Sequence, residues 1–234
     1  MIEPKHAAWA DRIFHPYVTW LFRRHFDSIH VLGTWPKTDP ALPLLLLPNH
    51  SSWWDGFFVY LLSKKVFVRR PYLLMLEEQL SRYRFFARLG AFSIDPNSTS
   101  SVRLSLRRAA AILREPSSPR RLLCIFPQGE LWPWDKRPLG YKRGAELIMR
   151  AYGGKLNILP LAIKIEFLNE QRPHVFFSFG ENRLADHHNF PTMSFIQAIE
   201  EQLLDELARR LLSGEQGTVL MGRQRANRRD SEPT

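Results

Sequence analysis

The chain has 234 residues, 44% of them apolar, enough for one substantial core; its longest apolar run, 41–47, contains Pro43 and is far short of the ~20 residues of a membrane-spanning helix. Cys124 is the only cysteine, which excludes internal disulfides, and the first residues, with Glu3, Lys5 and His6, lack the pattern of a secretory leader, so a cytoplasmic protein is expected. The net charge of +10 points to an anionic partner, nucleic acid or membrane, and composition alone leaves both open.

In chain order, residues 7–26 read as an amphipathic helix, with Trp9, Ile13, Tyr17, Trp20 and Leu21 at helical spacing, Asp11, Arg12, Arg23 and Arg24 between them, and Pro16 expected to kink or split it. Short apolar runs follow at 44–47, 72–76, 91–94, 122–126, 156–167 and 174–179, and helical patterns lie between them at 55–65, 102–115, 141–152 and 192–212. The alternation predicts an α/β fold with a mostly parallel central sheet flanked by helices. Cys124, within the run 122–126, reads as a buried strand residue. The last helix is the clearest, with Phe195, Ile199, Leu203, Leu207 and Leu211 at four-residue steps. The expected organisation is an N-terminal helical segment over 1–30, a main domain over 31–214 and a basic, flexible tail over 215–234.

The chemistry concentrates at 48–56, "PNHSSWWDG". On an ideal helix His50 and Asp55 would point roughly 140° apart, but a turn from strand to helix can bring them together at the carboxyl end of the strand 44–47. There Asp55 could hold one imidazole nitrogen and leave the other to take a proton from a hydroxyl. The spacing alone also fits a capped helix start with a surface histidine. Ser51 and Ser52 offer a rival nucleophile, but no G-x-S-x-G elbow is present, and Ser52 reads as a turn or N-cap residue. The scattered histidines, including the adjacent His187 and His188, show no metal-ligand spacing.

"NHSSWWD" resembles the first block, N-H-x-S-x-x-D, of the glycerophosphate and lysophospholipid acyltransferase family. "GAFSIDP" at 90–96, "FPQGE" at 126–130 and "ILPLAI" at 158–163 resemble its second, third and fourth blocks in order, and "YKRGA" at 141–145 resembles the lysine-glycine element after the third. The resemblance implies an O-acyltransferase in which His50 is the general base and Asp55 its orienting partner, with acyl-CoA or acyl carrier protein as acyl donor and no other cofactor. It implies substrate-binding roles for Asn49, Ser52, Gln128, Gly129, Glu130, Lys142 and Arg143, with Gly129 letting the backbone approach the acceptor or an oxyanion closely.

Pro96 and Leu131 stand where the family has phosphate-binding arginines, and Gln128 where it has glutamate. Neither proline nor leucine can imitate a bidentate guanidinium, so the expected acceptor is either a lysophospholipid bound through Arg103, Lys136, Arg137, Lys142 or Arg143, or an uncharged glycolipid or carotenoid glycoside. A catalytically inactive lipid-binding protein on the same fold is the alternative. Nucleic acid is not expected, because charge alone supports it and no motif does. Trp53 and Trp54 read either as packing residues or as part of an apolar entrance, and Trp132 and Trp134, beside cations, as residues for a headgroup boundary. The whole implies a peripheral, monotopic protein on an anionic membrane surface.

Overall fold

The computed structural model describes residues 1–118 and 120–222. The strands form one mixed sheet in the order β4-β3-β5-β2-β6-β7-β1-β9. Its parallel half is β4 (Ala91–Ile94), β3 (Pro71–Leu76), β5 (Leu122–Cys124), β2 (Leu44–Pro48) and β6 (Leu156–Glu166). Beyond β6 the direction reverses: β7 (His174–Phe179) runs antiparallel to it, β1 (Ser28–Leu32) parallel to β7, and β9 (Thr218–Gly222) antiparallel to β1. The short β8 (Arg183–Ala185) pairs with the start of β6. The expected fold is the observed one.

Every residue of β2 is buried because helices cover both faces of the sheet. Leu44 and Leu46 join the core beneath α1 (Ala8–His25) and α2 (Asp55–Lys65), whereas Leu45 and Leu47 join the core beneath α4 (Thr99–Arg114) and α5 (Gly144–Tyr152). Two-sided burial is why these strands read as unbroken apolar runs instead of alternating ones. The long α6 (Met193–Leu212) covers the β6, β7 and β1 end. Its buried line is Met193, Ile196, Glu200, Leu204 and Leu207; Phe195, at the head of the line inferred from sequence, is exposed. Cys124 is wholly buried in β5, and desolvation raises its thiol pKa well above the ordinary value, so it packs as a small apolar side chain.

Helix α1 runs unbroken through Pro16. Its inward face, Ala10, Phe14, Val18 and Phe22, belongs to the main core, with Phe22 stacked on Phe58 and Phe14 edge-on to Tyr60. Asp11 ties it further to α2, accepting hydrogen bonds from the Tyr60 hydroxyl and the Lys64 ammonium, each at 2.9 Å. Of the residues predicted from their spacing to form the apolar face, Trp9, Ile13, Tyr17 and Trp20 are at least half exposed, away from the core, and Leu21 is partly buried. The chain ahead of α1 is also tied down. The Ile2 carbonyl accepts from the Ser93 amide at the β4 edge, and His6 Nε2 donates to the Pro71 carbonyl at 2.9 Å, under Gly90. Gly90 has φ +104°, and a Cβ there would lie 2.3 Å from that carbonyl, so a side chain is excluded. Residues 1–30 are thus part of the packed body. At the other end, the stretch expected to be a tail from 215 contributes β9; its remainder, 223–234, lies outside the described residues.

The two faces of α1 differ in what they contribute to stability. Phe22→Ala is expected to cost about 3–5 kcal/mol through lost burial and a residual cavity, whereas Trp20→Ala should stay within about 0.5 kcal/mol. Urea unfolding of both variants checks this, and equal losses would mean that the inward and outward faces are misassigned.

Candidate active site

At the carboxyl end of β2 the chain leaves the sheet at Asn49, turns through 50–54 and enters α2 at Asp55. Asn49 is buried and locks the turn to β6: its Nδ2 donates to the Ile163 carbonyl at 3.1 Å and its Oδ1 accepts from the Ile163 amide at 2.7 Å. The backbone of His50 is held from the loop after β5, where its amide donates to Gln128 Oε1 at 2.5 Å and its carbonyl accepts from the Trp132 amide at 2.9 Å.

Asp55 is fully buried and accepts four hydrogens. They come from His50 Nδ1 at 2.9 Å, the Ser51 amide at 2.8 Å, the Ser52 amide at 2.9 Å and the Ser52 hydroxyl at 2.6 Å. An ionised carboxylate only accepts, so Nδ1 carries the hydrogen and Nε2 keeps its lone pair. The imidazole stacks on Phe126, with centroids 4.0 Å apart and planes 19° apart, which fixes the ring's orientation from its other side. A histidine held in this way can take a proton at Nε2 and pass it on, while Asp55 compensates the imidazolium charge.

His50 lines a cavity of about 510 Å³ that runs between α2, β3, the middle of α4 and the head of α5. Its walls are chiefly apolar, among them Phe14, Phe57, Leu73, Met75 and Phe86, and its acidic and basic lining residues besides the His50 imidazole are Glu130 and Lys142. Pro96 and Leu131 both line it. Gly129 has φ +75°, and the space beside it holds the Lys142 side chain, whose Nζ would be 2.9 Å from a Cβ at that position. The Lys142 side chain thus fills the side on which a Cβ would project. Of the other residues expected to bind substrate, Asn49, Ser52 and Gln128 are engaged in holding the turn, and Arg143 stands outside the cavity, reaching Glu146 Oε1 at 3.3 Å.

The tryptophans divide. Trp54 is half-buried against Phe22, Phe26 and Phe57, so it packs; Trp53 is 58% exposed and lines the cavity. Trp132 and Trp134 are folded back onto the body: Lys136 Nζ lies 3.4 Å over the Trp132 ring, and Trp134 Nε1 donates to the Ile163 carbonyl at 2.9 Å. Both are partly buried.

Residues 28–164, more than half of the chain, match the family model described as Acyltransferase. The chain belongs to the acyltransferase family. It is an enzyme of acyl transfer, and the matched span contains the His50 turn, every residue lining the cavity except Phe14, and most of β6. Against curated proteins the chain finds no match.

Sequence reasoning passed over Phe126 as a ring partner of His50, and it passed over Glu200 altogether. Glu200 is fully buried on α6 behind the β2 and β6 ends, and desolvation raises its carboxyl pKa to about 8. The backbone of Asn49 and Leu161 beside it lowers the value in part, though its oxygens make no hydrogen bond of regular geometry. The signal was a lone acid on the line Met193, Ile196, Leu204, Leu207, which turns out to be the inward one.

An acid whose pKa rises on folding binds its proton more tightly in the folded state. The resulting stability is full below the ordinary carboxylate range and is lost as pH climbs to about 8. Glu200→Gln in this acyltransferase should therefore match the wild-type Tm near pH 5 and exceed it near pH 8. Parallel pH profiles for the two proteins would rule out a buried carboxyl titrating there.

Proposed function

We propose that this acyltransferase works on an anionic membrane surface and moves a fatty acyl group from acyl-CoA or acyl carrier protein to the hydroxyl of a lipid with an uncharged head. The observation that carries the reading is the His50–Asp55 pair, held at 2.9 Å on the wall of an apolar cavity. His50 Nε2 takes the hydroxyl proton as the oxygen attacks the thioester carbonyl. The tetrahedral intermediate then expels the thiolate as the C–S bond breaks, and the imidazolium returns the proton to sulfur. No acyl-enzyme is required, because the thioester is already reactive and the alcohol lacks mainly a base and a fixed position. Lys142, the one lysine or arginine on the cavity wall among the described residues, faces the charge that develops there.

The acceptor follows from the same wall. Pro96 and Leu131 make apolar the two places where a phosphate-binding pair of arginines would serve a lysophospholipid, which supports a glycolipid or carotenoid glycoside hydroxyl. The test is transfer from a labelled acyl donor to lysophosphatidate and to an uncharged glycolipid at equal interfacial concentration. The glycolipid should win, and His50→Ala should lower its rate by about 10²–10⁴-fold with the fold retained. A strong preference for lysophosphatidate that Lys142→Ala abolishes would move the acceptor to the phosphate class; undiminished turnover in folded His50→Ala would remove the mechanism.

Membrane attachment is assigned to the outward face of α1. Trp9, Ile13, Tyr17 and Trp20 are exposed in one line, with Arg12, Arg23 and Arg24 at its flanks, and Trp9 leans on the exposed Phe85. No helix among the described residues is long and apolar enough to cross a membrane, so this line would lie in the interface. Because the inward face of α1 is core, the informative variant is Trp9→Ser/Trp20→Ser, not removal of the helix. It should stop flotation with phosphatidylglycerol vesicles and keep the wild-type melt, while high salt should weaken the intact protein only in part. Unchanged flotation would place the attachment elsewhere.

A further inference from the structure

Helices α4 and α5 lie side by side and parallel on one face of the sheet. Leu106, midway along α4, sits 3.8 Å from where a Cβ on Gly144 at the head of α5 would be; at their ends, the Arg114 guanidinium donates to the Ala151 and Tyr152 carbonyls. Their inward faces share one core, so their outward faces form one surface. That surface is cationic. Arg103 and Arg107 are exposed on α4 and make no ion pair among the described residues, while Arg143 and Arg150, with side chains 74% and 62% exposed, share the single buried Glu146. Among these arginines stand two exposed leucines, Leu104 on α4 and Leu147 on α5. The same two helices also border the site, because Leu106, midway along α4, and Gly144 and Ala145, at the head of α5, line the cavity with Lys142.

Resting on the proposed acyl transfer, we infer that the outward faces of α4 and α5 dock an acidic acyl carrier protein, which presents its thioester to the cavity. Charge complementarity selects an anionic partner. The shape and the leucines select a protein: a free nucleotide thioester needs a concave pocket, and a nucleic acid would use the arginines yet leave Leu104 and Leu147 against water or phosphate. Apolar anchors within a charged rim suit a helical protein face. The position also fits, since a flexible arm from a partner seated there starts beside the cavity lining at the head of α5 and lies on the opposite face of the sheet from α1.

The experiment compares palmitoyl-CoA with a purified carrier protein bearing the same palmitoyl thioester, as donors to the full-length chain. Alongside it, direct binding of that carrier protein is measured by calorimetry. Arg107→Glu/Arg150→Gln, whose positions are not in the cavity, should raise KM for the carrier-bound donor by about tenfold or more and leave KM for palmitoyl-CoA within about twofold. Leu104→Ser/Leu147→Ser, which changes no charge, should weaken carrier binding in the same direction, and thermal melts establish that both variants fold. If the wild type turns over palmitoyl-CoA but neither binds nor uses the carrier protein, the docking assignment is overturned. Equal losses with both donors, or tight binding of single-stranded DNA in place of the carrier, would also overturn it. Carrier binding that both variants weaken, in a protein that acylates nothing from either donor, would uphold the docking surface and defeat the acyl transfer.

Discussion

The arrangement around His50 depends on one buried carboxylate. Asp55 has no solvent exposure and, among the described residues, no lysine or arginine in bonding range, so its charge is tolerable only because two amides, a hydroxyl and a ring N–H point at it. Those donors come from three successive residues, 50 to 52, and supplying them all forces the chain after β2 into a single tight path. The carboxylate thereby shapes the turn as well as orienting the histidine. Asn49 and Gln128 continue the same logic outward, Asn49 bonding the Ile163 amide and carbonyl of β6 and Gln128 the His50 amide from the loop after β5.

Such a turn needs a rigid base, and the sheet provides it. In β2, Leu44 and Leu46 are anchored in one core and Leu45 and Leu47 in the other, so the end of the strand cannot twist or slide without disturbing both helix layers. The cavity lies between these layers at the strand ends, which is where an open α/β sheet leaves space for ligands. Apolar walls close to a polar, preorganised pair give the cavity a low dielectric in which the Asp55–imidazole interaction is stronger than it would be in water.

How much of this was readable from sequence depended on which partner each residue had. The runs at 44–47, 72–76, 91–94 and 174–179 announced strands because burial on both faces demands continuous apolar sequence. β1 escaped notice because Ser28 and His30 break its run; in the structure they hydrogen-bond each other at 2.6 Å, an arrangement completed by His174 on the neighbouring strand β7. Helix α1 was predicted, but its inward side was not, since both faces carry large apolar residues and periodicity cannot say which one meets the core. The His50–Asp55 pairing was legible because the two residues are local to one turn. The work of Asn49 and Gln128 was not, because their partners are backbone groups far along the chain, and those carry no residue-specific signal.

Both edges of the sheet are short. β4 has four residues and meets the extended chain at Ile2, and β9 has five, with its pairing to β1 shifted between Ile29 and His30 and its end marked by Gly222 at φ +114°. Brief, irregular edges offer a second chain little ladder to extend, which is how sheet proteins resist fibrillar growth. The exposed aromatic line of α1 therefore carries the self-association hazard in water alone, without help from the backbone. Aggregates of this protein formed away from lipid should be side-chain mediated and dispersible by mild detergent, and they should lack cross-β order.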